Sequence, residues 1–242
     1  MKIILFLLST LVFLNPSFSQ SEKTDSITNL QLKEAIALYN NFSADNAPIY
    51  NGSEYIYYTF KMEGDPYFIT GNFSNGWVNY SGRNYDSLSL MYDINRNELV
   101  LLGPPDKKFR IVLQNEFVDS FELLGHNFIK LNEDHKQNLY NPGFYDLLYN
   151  GNVQFLAKRV KTMDPSIKGN LLVRTFYVKD RFYIHKDGLY YLVNTKKDVY
   201  RLFQDKLKDV RKLMRKQHVK IRHKNFEQAT TKVTQFYDQL TH

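Results

Sequence analysis

The stretch that most restricts the fold is Gly76 to Leu102, GWVNYSGRNYDSLSLMYDINRNELVLL. From Asp86 onward Leu88, Leu90 and Tyr92 alternate with Ser87, Ser89 and Met91. Period two places alternate side chains on opposite faces and marks a half-buried strand. Asp93-Ile94-Asn95-Arg96-Asn97 interrupts the alternation with residues that tolerate turn dihedrals, and Leu99 to Leu102 resumes it. Upstream, Trp77 to Tyr80 ends at the turn cluster Ser81-Gly82-Arg83-Asn84. Antiparallel neighbours joined by short loops satisfy the backbone donors and acceptors of such strands locally, so a meander is expected.

The N-terminus begins Met1-Lys2, then runs from Ile3 to Leu14 with only Ser9 and Thr10 as interruptions, and reaches small residues at Ser17 and Ser19. A short basic start, an apolar run and small residues two apart read as a secretory signal peptide over residues 1–19. A membrane anchor needs ~20 apolar residues, which neither this run nor any later one supplies. No cysteine follows the run, so lipid attachment to an N-terminal cysteine is excluded. The chain has no cysteine at all, which removes disulfides, thiolate metal sites and cysteine nucleophiles together. An exported chain without disulfides has to be held by its core, and 18 Tyr with 18 Phe provide the apolar area.

After a polar lead-in, Leu32, Ala35, Ile36 and Tyr39 recur at helical spacing, with Thr28 or Asn29 as cap. Strands are expected at Tyr55 to Met62, Tyr67 to Phe73, around Phe109 to Leu113, Phe121 to Leu123 and Phe128 to Leu131. Asn132 to Gly143 reads as a long polar loop. Asn150-Gly151 between two apolar runs predicts a two-residue type I′ hairpin, with Tyr149 opposite Asn152 and Asp146 opposite Phe155. One face of that hairpin would carry Phe144, Leu148, Val153, Phe155 and Ala157, the other Tyr145, Leu147, Tyr149 and Leu156. Leu171 to Val178, Arg181 to His185 and Leu189 to Val193 are three further strands.

The C-terminus is helical in pattern. Val199, Leu202, Phe203, Leu207, Val210, Leu213 and Met214 form one stripe. Phe226, Ala229, Val233, Phe236, Tyr237 and Leu240 form the buried side of a second helix capped by Asn225, with Gln228 at the capping-box position. Between Lys196 and Lys224 there are twelve Lys or Arg against three Asp, a net of +9. The rest of the chain has 20 basic and 22 acidic residues, a net of −2, so the whole excess of +7 sits in this segment. Lys197, Arg201, Lys208, Arg211, Lys212 and Arg215 lie opposite the apolar stripe. They are the candidate binding residues, for an anionic membrane surface, a glycan or an envelope protein. Export makes nucleic acid the weakest of the anionic partners. The plainer reading is a solvated outer face eased by Asp198–Arg201, Asp205–Lys208 and Asp209–Lys212 at i, i+3.

Catalytic motifs are not found: there is no G-x-S-x-G elbow and no P-loop. His135 beside Glu133 and Asp134, with His126, makes only a weak metal patch without recognised ligand spacing, so no metal and no cofactor is assigned. Asp146 is the one carboxylate expected to be buried. It would serve as a proton-transfer group or, more plainly, as the partner of a tyrosine or a cation. An enzyme would require a cleft in which Asp146 or His135 meets a second titratable group. Tyr55, Tyr57 and Tyr58 read as core before they read as a stacking surface.

Asn51-Gly52 before a tyrosine-rich strand, Gly82-x-x-Tyr85 leading to Tyr92-Asp93, the run from Gly143 to Gly151 and closing helices ending in Phe236-Tyr237 carry a resemblance. In their order, over about Tyr50 to Leu240, the chain resembles a family of exported β-rich proteins of Gram-negative bacteria with no assigned activity. The resemblance implies a periplasmic or surface-associated, non-enzymatic protein. An N-terminal helix before a curved sheet is also similar to half-barrel lipoprotein carriers. The expected fold is α+β, mainly antiparallel β: a curved multi-stranded meander with an N-terminal helix and a C-terminal helical pair. Residues 20–194 would form the helix and sheet domain, and 195–242 the basic helical pair packed on it. The expected function is an exported binding or accessory protein, or alternatively a carrier of an apolar, lipid-like ligand in the concave face of the sheet.

Overall fold

The computed structural model describes residues 48–103 and 109–241. The signal peptide over 1–19 and the helix expected to end near Tyr39 lie outside the described residues. Fourteen strands fall into two sheets. They are β1 (Ser53–Glu54), β2 (Met62–Glu63), β3 (Ser74–Tyr80), β4 (Arg83–Asp93), β5 (Glu98–Leu102), β6 (Arg110–Val112) and β7 (Val118–Leu123). The series continues with β8 (His126–Leu131), β9 (Gly143–Tyr149), β10 (Gln154–Lys158), β11 (Lys161–Lys168), β12 (Leu171–Val178), β13 (Arg181–Lys186) and β14 (Leu189–Leu192). Three helices close the chain: α1 (Lys196–Leu202), α2 (Leu207–Lys216) and α3 (Phe226–Thr241).

The large open sheet has the order β1-β6-β5-β4-β3-β7-β8-β9-β10-β13-β14, every pair antiparallel. The expected meander is present as β3 to β6, and β7 returns to the free side of β3 before the chain continues outward. Three of its hairpins close with two-residue turns in which both central residues have positive φ: Ser81-Gly82 (51° and 73°), Leu124-Gly125 (56° and 79°) and Asp187-Gly188 (52° and 75°). These are the dihedral signs of type I′, whose twist matches that of the flanking strands.

The type I′ hairpin predicted at Asn150-Gly151 is not one of them. Tyr149 pairs with Phe155 rather than Asn152, and Asp146 pairs with Ala157 rather than Phe155, with a bulge between Phe155 and Leu156. The reason lies in α3. Asp238 reaches into the loop, accepts hydrogen bonds from Val153 N–H (3.1 Å) and the Tyr149 hydroxyl (2.8 Å), and stands where a side chain at position 151 would be. A Cβ on Gly151 would come within 2.2 Å of an Asp238 carboxylate oxygen. The glycine therefore marks a close approach, not a positive-φ turn. Most of the face assignment survives the shifted register. Leu148, Val153 and Phe155 pack under the helices, while Tyr145, Leu147 and Leu156 pack with Leu139 and Tyr183. Tyr149 is the exception, joining the helix side instead of the face of Tyr145.

Four other expectations are corrected. Tyr55 to Met62 and Tyr67 to Phe73 are not strands beyond Met62 and an isolated bridge from Tyr67 to Asp93. Here side chains hold the chain: buried Asp93 accepts from the hydroxyls of Tyr55 and Tyr58 (2.9 Å each) and from the N–H groups of Asn95 and Arg96. Lys161 to Lys168, assigned no structure from the sequence, is a strand containing Pro165. It lies at the edge of the small sheet β11-β12-β2, where a missing N–H costs no ladder bond. The first C-terminal stripe is broken between Phe203 and Lys206 into α1 and α2. Asn225 accepts from Arg222 N–H and donates to the Lys220 carbonyl, closing the turn before α3.

Two clusters lie side by side on one face of the sheet, because Phe121, Phe128, Asp146, Ala157 and Phe182 are successive cross-strand partners. Under the helices, Val153, Phe155 and Ile184 meet Val199, Phe203, Val210, Met214, Val233 and Phe236, with Phe203 stacked on Tyr237 at 4.2 Å. Over β4, β7, β8 and β9, Tyr92, Phe121, Phe128 and Phe144 form edge and stacked ring contacts between 4.6 and 6.0 Å, and Phe68 adds its ring to Phe128 at 5.1 Å. Replacing Gly151 with Ala should lower stability by roughly 1–3 kcal/mol, because the loop or the Asp238 carboxylate must move. Urea denaturation reads this directly; an unchanged midpoint would disprove the close approach.

Candidate functional site

The basic face comes first, since it carries the whole charge excess. All six nominated cations are exposed. The stripe on α1 and α2 is consumed by the core, so their charged sides can only face outward. Of the three expected i, i+3 ion pairs, only Asp198–Arg201 forms (2.6 Å). Asp205 is taken instead by the hydroxyl of Tyr237 (2.9 Å), and among the described residues Lys208 and Lys212 make no ion pair. Like charges three and four apart on one helix repel by a few tenths of a kcal/mol per pair, which offsets what the helix dipole gains from Arg215 and Lys216 in the last turn of α2.

The six residues divide in space. Arg211 and Arg215 line a cleft of about 610 Å³ between α1, α2 and the segment leading to α3. There they are joined by Lys196, His218, Lys220 and Arg222, four groups that the helical wheel did not select. No Asp or Glu lines this cleft. Tyr200 lies among them, with Lys196 at 5.2 Å and Arg211 at 4.9 Å from its ring centre. A cleft bordered by cations with no carboxylate nearby is a site of positive potential for anions. Arg201 faces a different concavity, and Lys197, Lys208 and Lys212 line neither. The missed residues were legible in principle: all sit within the basic run, Lys196 at the first position of α1 and His218, Lys220 and Arg222 beyond α2, where a wheel does not apply.

Asp146 is buried at 1% exposure, as is Arg159 at 8%. The guanidinium donates from Nε to Asp146 (2.9 Å), and also to Asp180 (2.9 Å) and Glu227 (2.7 Å). The Nδ1 atom of His126 lies 2.9 Å from Asp146 Oδ2, and Phe68 closes over the imidazole with its ring centre at 5.0 Å. Asp146 is thus the partner of a cation, and it meets a second titratable group in His126. Neither residue lines any of the three concavities described. The hydrogen bond with Asp146 raises the His126 pKa above the ordinary histidine value, against the opposing effect of burial. His135 instead lies on the surface 3.4 Å from Glu133, and among the described residues no group of three or more metal-ligating side chains forms.

Asp146 is not the only buried acid: Asp93 (0% exposed) and Asp238 (8%) join it. Both follow strongly apolar neighbours in turn-like or helical contexts, which disguised their burial. Tyr55 belongs to the core, while Tyr57 is exposed and lies under Arg110, whose guanidinium is 4.6 Å from its ring centre.

Among the described residues no helix is long and apolar enough to cross a membrane. The fold and its surfaces define an α+β protein, mainly antiparallel β, with a large open sheet and a basic C-terminal helical unit. Comparison with family models, with curated proteins and with solved structures yields no match.

The raised His126 pKa makes a testable statement about pH. Its contribution to stability is complete below the unfolded histidine value, near ~6.5, and is lost as pH rises through the higher folded value. Urea midpoints should therefore fall as pH rises above ~6.5, and His126→Gln should flatten that slope. At higher pH Lys158, brought down to about 8 by burial, contributes the opposite slope. A midpoint independent of pH below ~8 in the unaltered protein would refute the assignment.

Proposed function

We propose that the chain is an exported binding protein of the periplasm or cell surface, without catalysis of its own, whose partner is anionic and meets the basic side of α1 and α2. The observation that carries this reading is the acid-free cleft around Tyr200, together with cations on α2 that lack the acidic neighbours the sequence offers them. Uncompensated charge on a helix that does not need it for folding is retained at a cost in self-repulsion, which a binding role accounts for. An anionic envelope surface, whether a charged lipid leaflet or an acidic glycolipid, fits the expected destination of the chain.

Surface binding accounts for more of the molecule than the carrier alternative does. The rings of Tyr92, Phe121, Phe128 and Phe144 fill one part of a single face of the sheet with direct contacts, the helices cover the same face over β9, β10 and β13, and Leu139, Tyr145, Leu156 and Tyr183 pack together on the other face. A lipid-sized ligand needs an apolar void of several hundred Å³. The three concavities described mix apolar side chains such as Met214, Leu202 and Phe226 with charged and amide ones, and none is lined by the ring cluster of Tyr92, Phe121, Phe128 and Phe144.

The test is sedimentation with vesicles of phosphatidylglycerol against vesicles of phosphatidylcholine. Binding should require the anionic lipid, weaken steeply between ~50 and ~500 mM salt, and vanish when Lys208, Arg211, Lys212 and Arg215 are all changed to Gln. Equal sedimentation with both lipids, or none with the anionic lipid at low salt, would overturn the reading.

A further inference from the structure

A second concavity, of about 700 Å³, lies on the other side of α1 and has a different chemistry. It runs along β14, the last strand of the large sheet, which among the described residues pairs only with β13. Tyr190 and Tyr191 are successive residues of that strand, so their rings leave it on opposite faces, yet both line the groove. The groove therefore passes over the free edge of the sheet. Tyr140 and Asn141, from the loop before β9, form one wall, and Asp198 and Arg201 of α1 form the other.

The backbone at this edge is also free to bind. The two-residue turn makes Lys186 and Leu189 a hydrogen-bonded pair, and Val193 N–H reaches the Phe182 carbonyl at 2.8 Å. Alternation between these two fixed points turns the N–H and C=O groups of Tyr190 and Leu192 away from β13, toward the groove. Among the described residues, the hydroxyls of Tyr140, Tyr190 and Tyr191 make no hydrogen bond. Tyr140 is 57% exposed, and its ring meets only that of His135, at 5.3 Å.

We propose that this groove is a binding site for a neutral oligosaccharide, with Tyr190 and Tyr191 as stacking platforms on either side of the edge and the flanking amides, Asp198 and Arg201 as partners for sugar hydroxyls. Pyranose rings present apolar C–H faces that lie on aromatic rings, and equatorial hydroxyls that both donate and accept. The groove offers that mixture: the exposed ring of Tyr140, the half-buried ring of Tyr191, the outer face of Tyr190, whose other face is stacked on His185 at 4.4 Å, a carboxylate already in place on Arg201 (2.6 Å), and outward-facing backbone donors and acceptors. Platforms on two faces suit a chain of several sugar units better than a single ring. An added peptide strand fits less well, because only two residues of the edge, Tyr190 and Leu192, present outward backbone groups.

Affinity electrophoresis of the mature chain through gels containing β-1,3-glucan, β-1,4-xylan, α-mannan or soluble chitin oligomers tests this. Retardation by at least one polysaccharide is expected, unchanged between ~50 and ~500 mM salt because the ligand carries no charge. Tyr191→Ala and Tyr140→Ala should each weaken it about tenfold or more, as expected for loss of an aromatic contact worth about 1.4 kcal/mol. Tyr191→Phe should retain most of it, and the Lys208, Arg211, Lys212 and Arg215 quadruple Gln variant should leave it intact. Urea midpoints of the Ala variants separate a lost contact from a lost fold; at position 140 the exposed ring makes the fold indifferent. No retardation by any of the four, retardation that survives both Ala changes, or a groove that binds an extended peptide in place of sugar would overturn the proposal.

Discussion

Arg159 ties the start of α3 to strands that the backbone ladders already join. Its guanidinium, almost fully withdrawn from water, reaches Asp146 on β9, Asp180 in the turn between β12 and β13, and Glu227 in the first turn of α3. The planar fork suits this task because its N–H groups diverge within one plane toward separate carboxylates. Burying such charges costs several kcal/mol per ion, repaid only where every group is paired. Here the pairing is complete in geometry but uneven in charge, with three carboxylates around one guanidinium. His126 supplies one of the two missing positive charges when protonated, and its hydrogen bond with Asp146 raises its pKa. The same arrangement fixes where α3 lies, because Glu227 at its start and Asp238 near its end both point into the sheet.

With α3 anchored at both ends, the placement of α1 and α2 follows from burial. Val199, Phe203, Val210 and Met214 have only one apolar surface to cover, the one formed by Val233, Phe236 and Tyr237 over β10 and β13. The break at Phe203 to Lys206 lets two short helices bend around α3 where one straight helix would leave it. Everything cationic on these helices is then turned outward by exclusion. The surface charge is thus a consequence of the core pattern in direction, while its excess is not: folding would be served equally well by neutral polar residues at Lys208 or Lys212.

Local signals were legible where local forces decide. β12, β13 and β14 lie where alternation and turn chemistry put them, and the meander around Tyr92 follows its period. Legibility failed where a distant side chain replaces the backbone as partner. Asn150-Gly151 looks like a hairpin turn because nothing nearby reveals that Asp238, far along the chain, occupies the space. Tyr55 to Met62 looks like a strand because its tyrosines favour one, yet their hydroxyls are bound by Asp93 and the ladder never forms. β11 was hidden by Pro165, which is tolerated only because the strand is an edge. At the candidate sites, residue type was legible and grouping was not: a wheel selects residues on one helix, whereas both concavities are assembled from several elements.

α1 is the element the two concavities share. Lys196 and Tyr200 open on the cationic cleft, while Asp198, Arg201 and Leu202 open on the tyrosine groove. Seven residues are too short to carry side chains to two sites unless both ends are fixed. The capping box of Thr195 and Asp198 fixes the first, and the burial of Phe203 fixes the second. Asp198 serves both purposes, since one carboxylate oxygen closes the cap while the other holds Arg201 toward the groove. The positions of the two walls are therefore set by one short rigid segment.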